Sequence, residues 1–179
     1  MPARTTLITG GVRSGKSFKA ESLLQKQLSV TYLAPGPIPD PVADPEWAER
    51  IAAHRARRPA HWITVETAEV AQGVLAADGA VLLDCLGTWV TALMDECDAW
   101  SRPGDQWRPD FDRRVEDLAA AWQQAPGPLI AVTNEVGMGV VPDHRSGRLF
   151  RDLLGLVNQR IAAVSDDVLL VVAGRVLRL

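Results

Sequence analysis

Residues 5 to 17 read TTLITGGVRSGKS, a short β-branched and apolar run that passes directly into glycines. Such a run is typical of a buried strand stopped by a turn. From Gly10 to Ser17 the sequence satisfies the pattern G-x-x-x-x-G-K-[ST], and residues 16–28 carry apolar side chains at helical spacing. In this strand, loop and helix context, the backbone N–H groups and the helix N-terminus attract anions. We therefore expect a phosphate-binding loop for a nucleoside triphosphate, with Lys16 on the outer phosphates and Ser17 beside Mg²⁺.

Strand and helix patterns alternate along the rest of the chain. Further strands are predicted at 29–34, 62–66, 79–85, 129–133, 167–173 and 176–179. Helices are predicted at 46–58, 68–77, 88–96, 109–124 and 146–164, with loops at 34–45 and 98–108. This alternation predicts an α/β fold with a mostly parallel sheet and helices on both faces. A chain of 179 residues supports one core, so we expect a single nucleotide-binding catalytic domain over residues 1–179.

The net charge and the hydrophobic pattern argue against nucleic acid and membrane as partners of this protein. A formal net charge of -3 argues against a protein that grips nucleic acid or an anionic membrane through a basic face. No apolar run approaches the ~20 residues that a membrane-spanning helix needs, and the N-terminus lacks a secretory signal pattern. We therefore expect a cytoplasmic protein with no membrane span and no nucleic-acid partner.

Polar residues follow two of the predicted buried strands. Asp84 closes the run VLLDC, where a carboxylate would sit beside the phosphate loop and bind the Mg²⁺ shell through water; a carboxylate in this position is otherwise commonly a helix cap. The segment TNEVGMGVVP, from Thr133 to Pro142, follows strand 129–133 and lies at the same carboxyl edge. Asn134 and Glu135 are therefore candidates for a substrate-facing edge, the alternative being a simple glycine-bent connection.

His54 lies in the stretch ERIAAHRARRPAHW, close to three arginines. A neutral imidazole nitrogen in an anion-attracting setting can act as a nucleophile toward phosphorus. The alternative is a solvated basic helix end with an incidental histidine, and the residues taken alone favour that alternative. His61 and His144 carry no supporting pattern, and His61 is interpreted as structural.

Four stretches carry a resemblance to a known family: TGGVRSGKS, RIAAHRARRP, VLLDCLGTWVTALM, and a long final one that begins VTNEVGMGVVPDH. They occur in the same order in the bifunctional adenosylcobinamide kinase/adenosylcobinamide-phosphate guanylyltransferases of cobalamin biosynthesis, which this sequence resembles over most of its length. The resemblance implies a P-loop NTPase fold similar to the RecA-like ATPase core. It also implies Mg²⁺ as cofactor, GTP and ATP as substrates, and adenosylcobinamide and its phosphate as acceptors.

Two successive reactions follow from that resemblance. The first transfers the γ-phosphoryl group of a nucleoside triphosphate to the aminopropanol hydroxyl of adenosylcobinamide. The second transfers GMP from GTP to the product and gives adenosyl-GDP-cobinamide and pyrophosphate. In the family this second step passes through a covalent guanylyl-histidine, and the matching residue here is His54. The resemblance therefore reverses the interpretation of His54 that the residues alone favour.

The resemblance also implies which residues contact the nucleotide. They are Gly10, Gly11, Val12, Arg13, Ser14, Gly15, Lys16, Ser17, Ala34, Pro35, Gly36, Arg55, Ala56, Arg57, Arg58, Glu66 and Asp84. Among them, Glu66 is expected to read the guanine edge. The chain departs from the family at Pro35 and Gly36, where a Thr or Ser is usual, so backbone groups are expected to replace a hydroxyl contact.

Two other functions remain open at this level: a simple small-molecule P-loop kinase in which His54 is incidental, and a non-catalytic regulatory module that binds nucleotide. The resemblance implies a homo-oligomer, a trimer in which a neighbouring subunit helps form the site. Trp100, Trp107 and the apolar final helix fit such an interface, but core packing explains the tryptophans equally well.

Overall fold

The structure is a computed structural model that describes residues 4–37 and 42–179, apart from the side chains of Trp47, Arg50, His54 and Arg57. Its strands are β1 (Thr5–Thr9), β2 (Val30–Ala34), β3 (Ile63–Glu66), β4 (Ala80–Asp84), β5 (Leu129–Val132), β6 (Asp167–Val172) and β7 (Arg175–Arg178). Its helices are α1 (Lys16–Leu24), α2 (Pro45–Arg57), α3 (Val70–Leu75), α4 (Leu86–Glu96), α5 (Gly104–Gln124) and α6 (Arg145–Ala162). No helix within these ranges is long and apolar enough to cross a membrane.

The strands form one sheet in the order β3-β2-β4-β5-β1-β6-β7. All neighbours are parallel except β7, which runs antiparallel to β6. The predicted α/β fold with a mostly parallel sheet is therefore confirmed. Because parallel strands end at the same edge, the loops after β1, β4 and β5 all open on one side of the sheet.

Helices cover both faces of the sheet, which explains why the central strands read as continuous apolar runs. One face packs against α3, α4, α5 and α6 around Trp89, Phe111 and Trp122, all of which are fully buried. The other face packs against α1 around Ile8 and Leu82. This two-sided burial fixes the positions of the strand ends, and the candidate site lies at those ends.

The tryptophan-bearing segment before α5 differs from the prediction. Residues 98–108 were expected to be a loop and Pro109 the start of a helix, but α5 already begins at Gly104, so Pro109 lies inside it. Trp107 is buried and packs edge-to-face on Phe111, with ring centroids 6.1 Å apart. That burial stabilises helix on the N-terminal side of the proline, where local preference disfavours it. Trp107 thus belongs to the core. Trp100 is partly buried and packs against the edge of that core.

The first helix is also shorter than predicted. The apolar spacing extends to Leu28, but α1 ends at Leu24 and the N–H of Gln27 donates to the Leu24 carbonyl in a closing turn. Leu28 is 96% exposed, so its place in the helical pattern does not correspond to a buried face.

Candidate nucleotide site

The loop between β1 and α1 is held from two sides. The N–H of Gly174, in the turn between β6 and β7, donates to the Ser14 carbonyl at 2.8 Å. On the other side, the N–H of Glu135 donates to the Gly10 carbonyl at 3.2 Å. Gly15 has a φ of 97°, a left-handed conformation that glycine adopts without strain. The loop is therefore fixed in shape by its neighbours in the sheet.

Lys16 begins α1 at the mouth of this loop. Its side chain is buried, and Nζ donates to the Gly11 carbonyl at 3.0 Å, so the ammonium group lies over the loop. The hydroxyl of Ser14 is also buried and has no hydrogen-bond partner within the described residues. A phosphate oxygen would accept from both groups, and the N-terminus of α1 adds a favourable dipole. The loop thus fits a phosphate ligand.

Asp84 lies at the end of β4, where its Oδ2 accepts a hydrogen bond from the Tyr32 hydroxyl at 2.9 Å. In the sheet, β5 lies between β4 and β1, so the strand that ends in Asp84 is not a direct neighbour of the strand that leads into the phosphate loop. The expected place of the Asp84 carboxylate beside the loop stays a prediction. Two strand spacings place the strands about 10 Å apart. The order of the strands along the chain does not predict that β5 lies between β4 and β1 in the sheet.

The residues at this edge of the sheet fit a Mg²⁺ ion that binds together with a nucleotide. Among the described residues, no group of three or more His, Cys, Asp or Glu side chains could hold a metal ion. Mg²⁺ characteristically uses one or two carboxylates together with substrate phosphates and waters. Asp84 and Ser17 therefore fit an ion that arrives with a nucleotide.

Tyr32 links Asp84 to the basic end of α2. The Arg58 guanidinium lies over the Tyr32 ring, 3.2 Å from its centroid, and its Nη1 donates to the Thr64 hydroxyl at 3.2 Å. Burial, and next the Asp84 carboxylate, raise the pKa of the Tyr32 phenol. Sequence reasoning missed Tyr32, although a single tyrosine in a buried strand is a signal that its hydroxyl needs a partner.

The two outer strands bring further predicted nucleotide residues together. Ala34 is in register with Glu66, and the Glu66 carboxylate forms an ion pair with Arg55 of α2. Pro35 and Gly36 follow Ala34 directly at this edge. The backbone of His54 lies in α2 immediately before Arg55, whereas the side chains of His54 and Arg57 lie outside the described part of the chain.

The segment after β5 is anchored by α6. The Thr133 hydroxyl donates to Asn158 Oδ1 at 2.6 Å, and Asn158 Nδ2 donates to the Asn134 carbonyl at 3.1 Å. Glu135 Oε1 accepts a hydrogen bond from the Gly137 N–H at 3.2 Å. Asn158 was not predicted as part of the site, because its 24-residue separation from Asn134 carries no local pattern. This network fixes Glu135 between the phosphate loop and the Asp84 strand.

Sequence comparison relates this chain to one family of nucleotide-dependent enzymes. The profile of the family described as cobinamide kinase / cobinamide phosphate guanyltransferase matches residues 6–179. The bifunctional adenosylcobalamin biosynthesis protein CobU of Salmonella typhimurium is 44% identical over 177 residues, which cover 94% of this chain and 95% of that protein. CobU of Escherichia coli is 42% identical over 177 residues, with the same two coverages. CobP of Pseudomonas aeruginosa is 40% identical over 173 residues, covering 94% of this chain and 92% of that protein.

Solved structures show the fold alone. A prototypical ATPase of the type III secretion system of pathogenic bacteria matches with a TM-score of 0.58 at 11% identity, covering 93% of this chain and 50% of that one. The ATPase EscN of enteropathogenic E. coli, solved with its central stalk EscO, matches with a TM-score of 0.58 at 10% identity, covering 94% of this chain and 42% of that one. The chain thus spans half or less of these ATPases and shares their core fold. From its sequence match over almost the whole length, the chain belongs to the cobinamide kinase / cobinamide phosphate guanyltransferase family.

Proposed function

We propose that this protein is a bifunctional enzyme, an adenosylcobinamide kinase and adenosylcobinamide-phosphate guanylyltransferase. The observation that carries the proposal is the braced phosphate loop with Lys16 buried over it, in a chain of this family. Both reactions break a phosphoanhydride bond of a nucleoside triphosphate, so a single loop that binds the triphosphate serves both. We further propose that residues 1–179 form one catalytic domain, that GTP and ATP are its nucleotide substrates, and that it works in the cytoplasm.

In the kinase step, the aminopropanol hydroxyl oxygen attacks the γ-phosphorus, and the bond from that phosphorus to the β–γ bridging oxygen breaks. Negative charge then grows on the leaving diphosphate, where Lys16 and the backbone N–H groups of the loop stabilise it electrostatically. Ser17 and Asp84 would hold Mg²⁺ together with the phosphates, and the ion would then add charge neutralisation.

The hydroxyl proton needs an acceptor, and we assign this role to Glu135. In the part of the chain that the structure describes, Glu66 pairs with Arg55 and Asp84 accepts from Tyr32, whereas Glu135 accepts from one backbone N–H of its own turn. Its backbone N–H donates to the Gly10 carbonyl, so residue 135 lies at the start of the phosphate loop. Asn134, one residue earlier, completes the acceptor edge of the site.

In the second reaction we propose that a ring nitrogen of His54 attacks the α-phosphorus of GTP. The bond from that phosphorus to the α–β bridging oxygen breaks and pyrophosphate leaves. A phosphate oxygen of adenosylcobinamide phosphate then attacks the guanylyl phosphorus, the P–N bond breaks, and the electron pair returns to His54. Arg55 and Arg58, near His54 along the chain, supply positive charge close to the reacting phosphates. Ala56, Arg57, Glu66 and the backbone of Ala34, Pro35 and Gly36 complete the proposed nucleotide contacts.

An end-point assay tests the proposal: purified protein is incubated with adenosylcobinamide, GTP and Mg²⁺, and the corrinoid products are separated. We expect adenosylcobinamide phosphate first and adenosyl-GDP-cobinamide later. Lys16→Ala should abolish both products, whereas Lys26→Ala, at an exposed lysine beyond α1, should leave both. An unmodified acceptor after incubation with the wild-type protein would reject the proposal.

The oligomeric state is part of the proposal. By family resemblance, we propose a homo-trimer in which a neighbouring subunit contributes to the site. Sedimentation velocity measures this directly, and a monomer at assay concentration would contradict it.

A further inference from the structure

The loop that follows Glu135 presents apolar side chains to solvent. Met138 is 81% exposed, Val140 95% and Val141 60%. We call residues 138–141 the apolar tip. A protein rarely exposes neighbouring apolar side chains without a partner for them, because each would gain free energy by leaving water.

The ends of the apolar tip are pinned to the helix beside it. At its start, Arg151 of α6 donates to the Gly137 carbonyl at 2.7 Å, and Glu135 accepts from the Gly137 N–H. At its end, Arg148 donates to the carbonyls of Pro142 and Asp143 at 3.0 and 2.7 Å. These contacts fix the backbone while leaving the apolar side chains outside the core. A surface ordered before binding loses less conformational entropy when a ligand arrives.

The apolar tip is continuous with the nucleotide site. Glu135, three residues before Met138, bonds through its backbone to Gly10 at the start of the phosphate loop. Val12, within that loop, is also largely exposed. A ligand on the apolar tip is therefore placed beside the phosphate that it receives.

We propose that the apolar tip binds the corrin ring of the acceptor substrate, an inference that rests on the proposed function. The acceptor carries a large corrin macrocycle with methyl groups and amide-bearing arms at its rim, while the hydroxyl that reacts lies at the end of one arm. Such a molecule needs an apolar surface for the ring beside a polar edge for the arm. The apolar tip supplies the first, and Asn134 and Glu135 supply the second.

The test compares Val140→Asp with Leu28→Asp. Leu28 is 96% exposed, matching Val140, but it precedes β2 and so lies at the opposite edge of the sheet. We expect Val140→Asp to raise the KM for adenosylcobinamide at least about tenfold, as loss of one buried valine contact implies. The KM for GTP and the kcat should change less than about twofold, and Leu28→Asp should match wild type in every constant.

Three outcomes count against the inference. An unchanged acceptor KM in Val140→Asp, with active wild-type protein, overturns it while leaving the proposed function intact. A changed sedimentation coefficient in Val140→Asp shows that the apolar tip is an interface between copies of the chain, and also overturns it. Absence of any turnover by wild type overturns the proposed function itself. An unchanged GTP affinity of Val140→Asp, measured by calorimetry, establishes that the variant is folded.

Discussion

Replacing Gly10 by alanine tests how tightly the phosphate loop is built into the sheet. A Cβ at this position would lie 2.8 Å from Ser14 Oγ and closer still to the Val171 carbonyl oxygen. Real Cβ atoms essentially never show contacts under 3.0 Å, so an atom must move. Val171 lies in β6, which is paired on both sides, so its backbone resists displacement. The loop itself must therefore shift.

The expected cost follows from that geometry. Overpacking against backbone destabilises a protein by about 1–3 kcal/mol. Displacement of the loop also moves the N–H groups and Lys16 away from the phosphates, and misplacement of about 1 Å can cost about 10²-fold in catalysis. We therefore expect Gly10→Ala to lower the free energy of unfolding by about 1–3 kcal/mol and to weaken GTP binding.

Gly11→Ala is the matched control. It adds the same methyl group one residue along, where an ideal Cβ meets no atom within 4 Å and φ is not positive. Its free energy of unfolding should stay within about 0.5 kcal/mol of wild type. Urea titration followed by tryptophan fluorescence gives the stabilities, and calorimetry gives the GTP affinities. Equal stability and equal affinity for the two variants would refute the argument that the loop is clamped against β6.

Further predictions concern three residues near the edge of the sheet. Glu135→Gln should slow phosphoryl transfer to adenosylcobinamide about 10²–10⁴-fold. It should spare guanylyl transfer to supplied adenosylcobinamide phosphate, whose anionic oxygen needs no base; equal losses in the two assays would contradict this role. Tyr32 is the only tyrosine in the sequence, so tyrosinate absorbance at 295 nm reports on it alone. Because the pKa of its phenol is raised, native protein should show no such absorbance at pH 10–11. In unfolded protein the same phenol should titrate near pH 10. The same raised pKa contributes stability that is complete below about pH 10 and is lost as the pH rises further, so wild type should lose stability faster there than Tyr32→Phe. Asn158→Ala leaves the Thr133 hydroxyl without its acceptor and should lower the free energy of unfolding by about 1–3 kcal/mol. Gln159→Ala, on the exposed side of α6, is the control and should change stability little. Similar urea midpoints for the two variants would contradict the structural role of Asn158.

The sequence predicted the fold class and the phosphate loop because both depend on local patterns. The run Thr5–Thr9 is a buried strand, and the glycines after it lead into a helix at Lys16, as expected. Each buried strand was recognisable from its apolar run, and so was the edge at which the strands end. Local patterns therefore place Asp84 and Glu135 on the correct side of the sheet.

Strand order and long-range side-chain contacts were not predictable in this way. The insertion of β5 between β1 and β4 depends on pairing between distant segments. The bond from Tyr32 to Asp84 joins residues 52 apart in the chain. The early start of α5 depends on burial of Trp107, which opposes the local preference at Pro109. In each case tertiary packing overrides a preference read from neighbouring residues.

The claim at the centre of this account is that His54 carries the guanylyl group while the phosphate loop serves both reactions. In the most direct measurement, wild type, His54→Ala and His61→Ala are each incubated with adenosylcobinamide, Mg²⁺ and α-labelled GTP. Label on the protein and the corrinoid products are then followed together. We predict that His54→Ala takes up no acid-labile, alkali-stable label and accumulates adenosylcobinamide phosphate, while His61→Ala behaves as wild type. Formation of adenosyl-GDP-cobinamide by His54→Ala at the wild-type rate would contradict the account.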